Sequence, residues 1–392
     1  MKRVSRRLTR LPPSATMAIA GRARELRAEG RDIISFGAGE PDFATPENIV
    51  AAASRAAHDP ANHHYSANQG LPPLREAVAD YTARYSGVPT DASGVVVTNG
   101  AKQAAFQTFA ALIDPGDEVL LPSPYWVSYP AGLELAGGVS VPVPSTSTNE
   151  FKVTADDLEA ARTDRTTALV FVSPSNPTGA VYSKEESRAI GEWAKENDVW
   201  VIADEIYQRL VYFIDVAPSI VAATPGLENW VIINGVAKSY AMTGWRVGWI
   251  VGPEDIVSAA TRHQSHATSN VANVSQHAAL AALTGPQDRV EEMREAFDRR
   301  RKIMHSMVSA IPGVECVEPE GAFYVFPDVS AVLGGKYQTS AALAEGILEE
   351  AGVAVVSGEA FGAPGFLRLS YAVGEDEIER GVTQIASLIE RL

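Results

Sequence analysis

Cysteine is almost missing from this chain. Cys316 stands alone among 392 residues, so no internal disulfide can form, and a reducing cytoplasm is the expected setting. No uninterrupted apolar run approaches the length of about 18 residues that a membrane-spanning helix needs, so none is expected. Positive charge is scarce: 33 Lys and Arg face 48 Asp and Glu, and the net charge of −15 argues against general nucleic-acid binding. No G-x-G-x-x-G follows a strand-like run. Gly37-Ala38-Gly39 leads straight into Glu40-Pro41, which breaks the pattern of a nicotinamide-binding turn.

Hydrophobic residues make up 46% and charged residues 21%, the balance of a globular enzyme. At 392 residues the chain is longer than one core usually supports, so two domains are expected. Charge sign is uneven. Residues 1–31 carry nine Lys or Arg against Glu25 and Glu29, leaving +7 there and −22 on the remainder. Pro12-Pro13 interrupts this basic start, and MAIA is too short for a signal-peptide core, so an N-terminal arm is expected in place of a targeting segment.

From residue 95 to 251, short apolar runs alternate with helix-like segments: VVVT at 95, EVLL at 118, VSVPV at 139, ALVFV at 168, VWVIAD at 199, VIIN at 231 and VGWIV at 247. Seven runs in a βαβ rhythm predict one mainly parallel sheet buried on both faces. The link from 234 to 247 is too short for a crossover helix, so the last strand is expected to be antiparallel. A long charged helix is predicted at 288–310, with Met293, Phe297, Met304 and Val308 on one side. Mixed strands and helices follow it. The expected organisation is an arm with part of a small domain at 1–45, a large α/β domain at 46–287 and a small α+β domain at 288–392.

Candidate chemistry collects where these strands end, the usual ligand edge of an open α/β sheet. Lys238 lies in a Gly-bounded turn between VIIN and VGWIV, with Arg246 eight residues on. A lysine that forms a Schiff base needs a partly desolvated site and a nearby positive charge to free its amine, although a lone loop lysine is ordinarily a surface residue. TNGAKQA at 98–104 runs from a strand through Gly100 into a helix, whose N–H groups suit an anion; a plain βα connection reads the same way. In SPSNPTG, two X-Pro bonds bracket Asn176 and make the turn rigid enough to hold its amide as a donor. Asp204 ends the apolar run VWVIAD, with Tyr207 three residues on. A carboxylate there needs a cationic partner, unless it is a helix N-cap. Trp126 follows EVLL, either as core packing or as a plate against a flat ring. An amine for an imine, an acid, a phenol, an amide, an aromatic face and a phosphate cradle together match pyridoxal 5′-phosphate (PLP).

GAGEPDFATP, ANQGLPPLREA, TNGAKQAAF, DPGDEV, SPYWVSYP, SPSNPTGAVY, ADEIY, NGVAKSYAMTGWRVGW, QSHATSN, GAFYVF and FLRLSYA occur in this order across nearly the whole chain. In them the sequence resembles the fold-type I, class I PLP aminotransferases, within the bacterial aspartate aminotransferase subgroup. The resemblance implies a homodimer in which Lys238 forms the Schiff base and then acts as general base and acid. It implies that Asp204 keeps the ring nitrogen protonated, Tyr207 and Asn176 bond the ring oxygen, and Trp126 lies against the ring. Arg246, Gly100 and Ala101 would take the phosphate, with Tyr65 reaching it from the neighbouring subunit. Arg368 would clamp the substrate α-carboxylate with the Gly39 N–H, beside Trp126 and Asn176. Lys102, next to the cofactor in its turn, is associated with the distal carboxylate. Ser14 and Thr16 would line the entrance.

Two departures bear on substrate choice. The turn reads Gly100-Ala101-Lys102 where the subgroup has Gly-Gly-Lys, and YFIDVAP after ADEIY is short and apolar. The expected reaction moves an amino group between L-aspartate, or another acidic amino acid, and 2-oxoglutarate. Alternatives on the same residues are a prephenate, aromatic or neutral donor, or a β-lyase, decarboxylase or oxidase outcome. A PLP-binding regulator would carry a DNA-binding module of about 60–70 residues, a pattern the first 30 residues do not show.

Overall fold

The computed structural model describes residues 4, 5, 8, 9, 11 and 15–392. The strands are β1 (Ile34–Ser35), β2 (Val95–Thr98), β3 (Glu118–Ser123), β4 (Val139–Pro144), β5 (Thr166–Val172), β6 (Trp200–Asp204), β7 (Trp230–Gly235), β8 (Gly248–Val251), β9 (Tyr324–Val325), β10 (Val353–Ala354), β11 (Val356–Ser357) and β12 (Leu367–Ser370). Seven of them form one sheet in the order β2-β8-β7-β6-β5-β3-β4. Only β8 runs against its neighbours, pairing antiparallel with both β2 and β7. All seven expected runs are strands, and the short 234–247 link does reverse the chain.

Alternation along each strand sends side chains to two separate cores. Val95, Val97, Val201, Ala203, Ile232, Trp249 and Val251 pack on one face. Val96, Ile202, Val231, Ile233 and Ile250 pack on the other, against Phe109 and Leu133. Because both faces are covered, these runs show no polar alternation. Each aliphatic side chain so buried contributes about 1.5–3 kcal/mol relative to exposure.

One of the helix-like segments between the strands, KEESRAIGEWAKE, forms a helix at Lys184–Glu196. Ser183 accepts from the Glu186 N–H at 3.1 Å and Glu186 accepts from the Ser183 N–H at 2.7 Å, the reciprocal cap that S-x-x-E encodes. The N-terminal helix spans Ala15–Ala28; Ser14 and the Thr16 side chain, expected at the entrance, lie outside the described residues.

A third core gathers the Asp288–Ser309 helix through Met293, Phe297, Met304 and Val308, together with Tyr324, Leu369 and the closing helix Glu375–Ile389. Ile34 and Phe36 belong to this core although they precede the large sheet, because β1 pairs parallel with β10. The apolar run VAVVSG is divided between two sheets: β10 pairs with β1 whereas β11 pairs with β12, so the chain changes sheets at Val355. Among the described residues, no helix is long and apolar enough to cross a membrane.

Candidate active site

Sheet direction decides what meets here. Gly100, Trp126, Asn176, Asp204 and Lys238 follow or end β2, β3, β5, β6 and β7 at their C-terminal ends. Because β8 is antiparallel, Arg246, just before it, comes to the same edge.

The Lys238 Nζ donates to the Gly39 carbonyl and lies 5.9 Å from the centre of the Tyr207 ring and 5.8 Å from that of Phe323. The residue keeps some open surface, yet its amine sits among protein atoms. Burial, followed by the Arg368 charge, lowers its pKa to about 8, with smaller contributions from Arg246 and Lys102. The expected depression is present, and its leading cause is desolvation more than a neighbouring cation.

Asp204 departs from expectation. Its partners are a phenol and a backbone amide, where a cation was expected: Tyr129 Oη donates at 2.7 Å and the Ile206 N–H at 3.1 Å. Burial pushes its pKa up to about 6 against those two bonds. Such a carboxyl gains strongly from a cationic N–H set before it. Tyr129 lies inside SPYWVSYP, and no local pattern distinguishes it from a core tyrosine.

Arg368 is 2% exposed. Its Nη1 donates to Asn176 Oδ1 at 3.1 Å and its Nη2 to the Gly37 carbonyl at 2.8 Å, while its buried Nε has no protein acceptor. The guanidinium lies 4.5 Å from the Tyr324 ring centre and 5.0 Å from that of Phe361, and burial lowers its pKa. A buried cation on neutral acceptors, with one donor unmatched, fits an anionic ligand. Asn176 was expected to be a held donor. Here it accepts through its oxygen, which leaves its NH₂ as the group that can face a ligand. Tyr207 and Tyr324 share a hydrogen bond of 2.9 Å, joining the lysine side of the site to the arginine side. Tyr324, Phe361 and Gly37 were not singled out from the sequence: Gly37 and Tyr324 lie far along the chain from Arg368, and the nearby Phe361 looks like any core aromatic.

The phosphate cradle is built by close approach. Gly100 has φ 83°, and a Cβ on it would sit 2.6 Å from Arg246 Nη2; a Cβ on Gly248 would sit 2.4 Å from the Ala101 nitrogen. Arg246 also donates to the Thr243 and Asn99 carbonyls at 2.9 and 3.2 Å, which holds its head over the N-terminus of the Ala101–Leu112 helix. First-turn N–H groups lack intrahelical acceptors, so Ala101 and Lys102 present donors beside that guanidinium. Lys102 Nζ lies 5.0 Å from the centre of the Trp126 ring, which meets Tyr129 edge-on at 5.2 Å. Burial and then Arg246 lower the Lys102 pKa. Tyr65 is 91% exposed in the single chain. Phe213 and Ile214, in the short YFIDVAP loop, are 60% and 46% exposed.

Behind Asp204 lies a second buried acid that was not expected. Glu205 accepts from Ser86 Oγ at 2.6 Å and Gln208 Nε2 at 3.1 Å, and burial raises its pKa from 4.5 to about 7. A carboxyl that binds its proton more tightly when folded stabilises fully below about pH 4.5, and that contribution is lost as pH rises through about 7. Glu205→Gln is therefore expected to flatten the fall in stability of the cofactor-free protein between pH 5 and 8. The change amounts to as much as about 3 kcal/mol and is measured by urea denaturation at each pH. An unchanged slope would mean that Glu205 is ionised throughout.

Residues 31–385 match the family described as aminotransferase class I and II. An aspartate aminotransferase of Streptomyces avermitilis is 54% identical, over 99% of this chain and 97% of that protein. A probable aspartate/prephenate aminotransferase of Aquifex aeolicus is 44% identical over 100% of both chains. The crystal structure of the aspartate aminotransferase from Rhizobium meliloti superposes with a TM-score of 0.96 at 38% identity, covering 100% of both chains. With these matches running the length of the molecule, this chain belongs to the class I and II aminotransferases, and the strand-edge cluster around Lys238 is its candidate active site.

Proposed function

We propose that the protein transfers the amino group of L-aspartate to 2-oxoglutarate by a ping-pong mechanism, with pyridoxal 5′-phosphate held at the strand edge. The observation that carries this reading is the pairing of a buried Arg368, unmatched by any carboxylate among the described residues, with a lysine amine whose pKa is about 8. The cradle made by Gly100, Gly248 and Arg246 has the close backbone approach that a phosphate needs.

When bound, pyridoxal phosphate supplies an aldehyde for amines and a ring that accepts the electron pair freed at the substrate Cα. Arg368 orients the substrate by a two-pronged hold on its α-carboxylate, with the Asn176 NH₂ and the Gly39 N–H beside it. Lys238, neutral near its pKa of about 8, would supply the amine that anchors the cofactor aldehyde and the base that takes the Cα proton and delivers it across the substrate nitrogen. Asp204, oriented by Tyr129 and Ile206, would hold a proton on the ring nitrogen. Tyr207 and Asn176 would donate to the ring oxygen, and Trp126 would cover the ring face. Arg246 with the N–H groups of Ala101 and Lys102 binds the phosphate, and Lys102 at the mouth receives the distal carboxylate of a dicarboxylic substrate. Tyr65, nearly fully exposed in the single chain, would serve the phosphate of a second copy in a homodimer. On the same reading residues 46–287 form a large cofactor-binding α/β domain and 288–392 a small α+β domain, with 1–45 an N-terminal arm and part of the small domain.

L-aspartate added to the holoenzyme is expected to convert the cofactor absorbance stoichiometrically to the pyridoxamine form, with oxaloacetate released and 2-oxoglutarate restoring the starting spectrum. Release of pyruvate, CO₂ or peroxide in its place would overturn the reaction assignment; faster conversion by prephenate-related or aromatic donors would overturn aspartate. Tyr65→Phe is expected to weaken phosphate-linked cofactor binding roughly tenfold, by loss of one hydrogen bond to a charged group. Fluorescence titration of the cofactor-free dimer checks this, and unchanged affinity would remove Tyr65 from the site.

A further inference from the structure

We propose that Asp42 and Arg300 are positioning residues for the substrate-carboxylate site, acting through the strap formed by residues 37–45. This inference rests on the reading of Arg368 given under the proposed function. Arg300 grips Asp42 with two parallel hydrogen bonds, Nη1 to Oδ1 at 2.7 Å and Nη2 to Oδ2 at 3.0 Å. The Arg300 side chain is 11% exposed and that of Asp42 is 32% exposed. Two rings fix the guanidinium from the side: its carbon lies 4.8 Å from the centre of Phe43 and 5.8 Å from that of Phe297, and these rings meet edge-on at 5.3 Å. A bidentate pair flanked by aromatic faces holds one orientation, unlike a mobile surface ion pair.

What that orientation controls is the strap. One end is fixed at Phe36, whose N–H donates to the Ala354 carbonyl at 2.9 Å and whose carbonyl accepts from the Ser370 N–H at 2.8 Å. Beyond Asp42 the strap docks on the turn that carries Lys238: Thr45 Oγ1 donates to the Ala241 carbonyl at 2.7 Å and accepts from Trp245 Nε1 at 3.0 Å. Thr243 Oγ1 donates to Glu40 at 2.8 Å. Between these anchors the Gly37 carbonyl holds Arg368 and the Gly39 carbonyl holds Lys238. Both functional cations are thus seated on carbonyls two residues apart, in a stretch whose register against the Asp288–Ser309 helix is set by Asp42 and Arg300. Freeing Asp42 lets the strap shift, and Arg368 with it. The α-carboxylate site loses its geometry while the phosphate cradle, built from other segments, keeps its own.

The test uses holoenzyme of the wild type, Asp42→Asn and Arg300→Met, the last keeping the packing stem between the rings. Both variants are expected to raise KM for L-aspartate and the Kd for maleate, an unreactive dicarboxylate read by its effect on cofactor absorbance, by about tenfold, in line with small misplacements of a binding group. Their kcat is expected to stay within about threefold and their cofactor affinity within about twofold of wild type. Unchanged KM and Kd would overturn the proposal, as would loss of kcat and cofactor affinity in step with KM. Failure of both variants to fold would also overturn it, by making the pair a support of the fold alone. Wild-type holoenzyme that binds maleate but does not transaminate aspartate would defeat the proposed reaction and leave this inference standing.

Discussion

Replacing Lys238 by alanine is expected to abolish turnover, by about 10⁴-fold or more, while cofactor still binds. The Asp204, Tyr207 and Arg246 side chains and the Gly100 turn are placed by other segments and survive the change. The lysine removes two things at once: the amine that anchors the cofactor and the base that moves the proton. The variant should bind the cofactor with the spectrum of the free aldehyde, and borohydride should fix no label to the chain. Retained label at another residue, or retained turnover, would overturn the assignment. The same amine sets a pH dependence. With a pKa of about 8, its neutral, nucleophilic fraction rises through that pH and levels off above it, well below the 10.5 of an ordinary lysine. Stopped-flow association of pyridoxal phosphate with the cofactor-free wild type should follow this curve. A rate still climbing steeply above pH 9 would show that burial leaves the amine unperturbed.

Arg368→Lys is expected to lower kcat/KM for L-aspartate by roughly 30- to 5,000-fold, the range that follows from losing about 2–5 kcal/mol at a buried charged contact. Charge is kept, so a simple electrostatic role predicts little change. A lysine ammonium, however, cannot reach Asn176 Oδ1, the Gly37 carbonyl and a ligand together, and it does not lie flat between Tyr324 and Phe361. The loss should appear mainly in KM and in the Kd for maleate, with the cofactor spectrum unchanged. Steady-state kinetics over a range of aspartate concentrations separates these, and wild-type KM in the variant would place the α-carboxylate elsewhere.

Much of this molecule was legible in its sequence for a simple reason. Strands buried on both faces leave unbroken apolar runs, and ligand-binding turns at their ends must break them with Gly, Pro or a charge. That rule alone exposed β2 to β8 and put Gly100, Asn176, Asp204 and Lys238 at one edge. The antiparallel β8 was equally accessible, because 12 intervening residues cannot hold a crossover helix. Resemblance to the aminotransferases then added Arg368, Tyr65 and Gly39, which have no local signature.

What only the tertiary structure decided is which groups support those residues. Asp204 is held by Tyr129, 75 positions away, and Arg368 by Gly37, 331 positions away. Such pairs depend on strand order and on the return of residues 34–45 to the C-terminal core, neither of which periodicity encodes. The same holds for the pKa of Lys238, since desolvation is a property of everything packed around an amine and not of its neighbours in the chain. The sequence by itself determined the elements, the ligand edge and the reactive side chains. Folding decided the partners, because hydrogen bonds and burial act through distance in space.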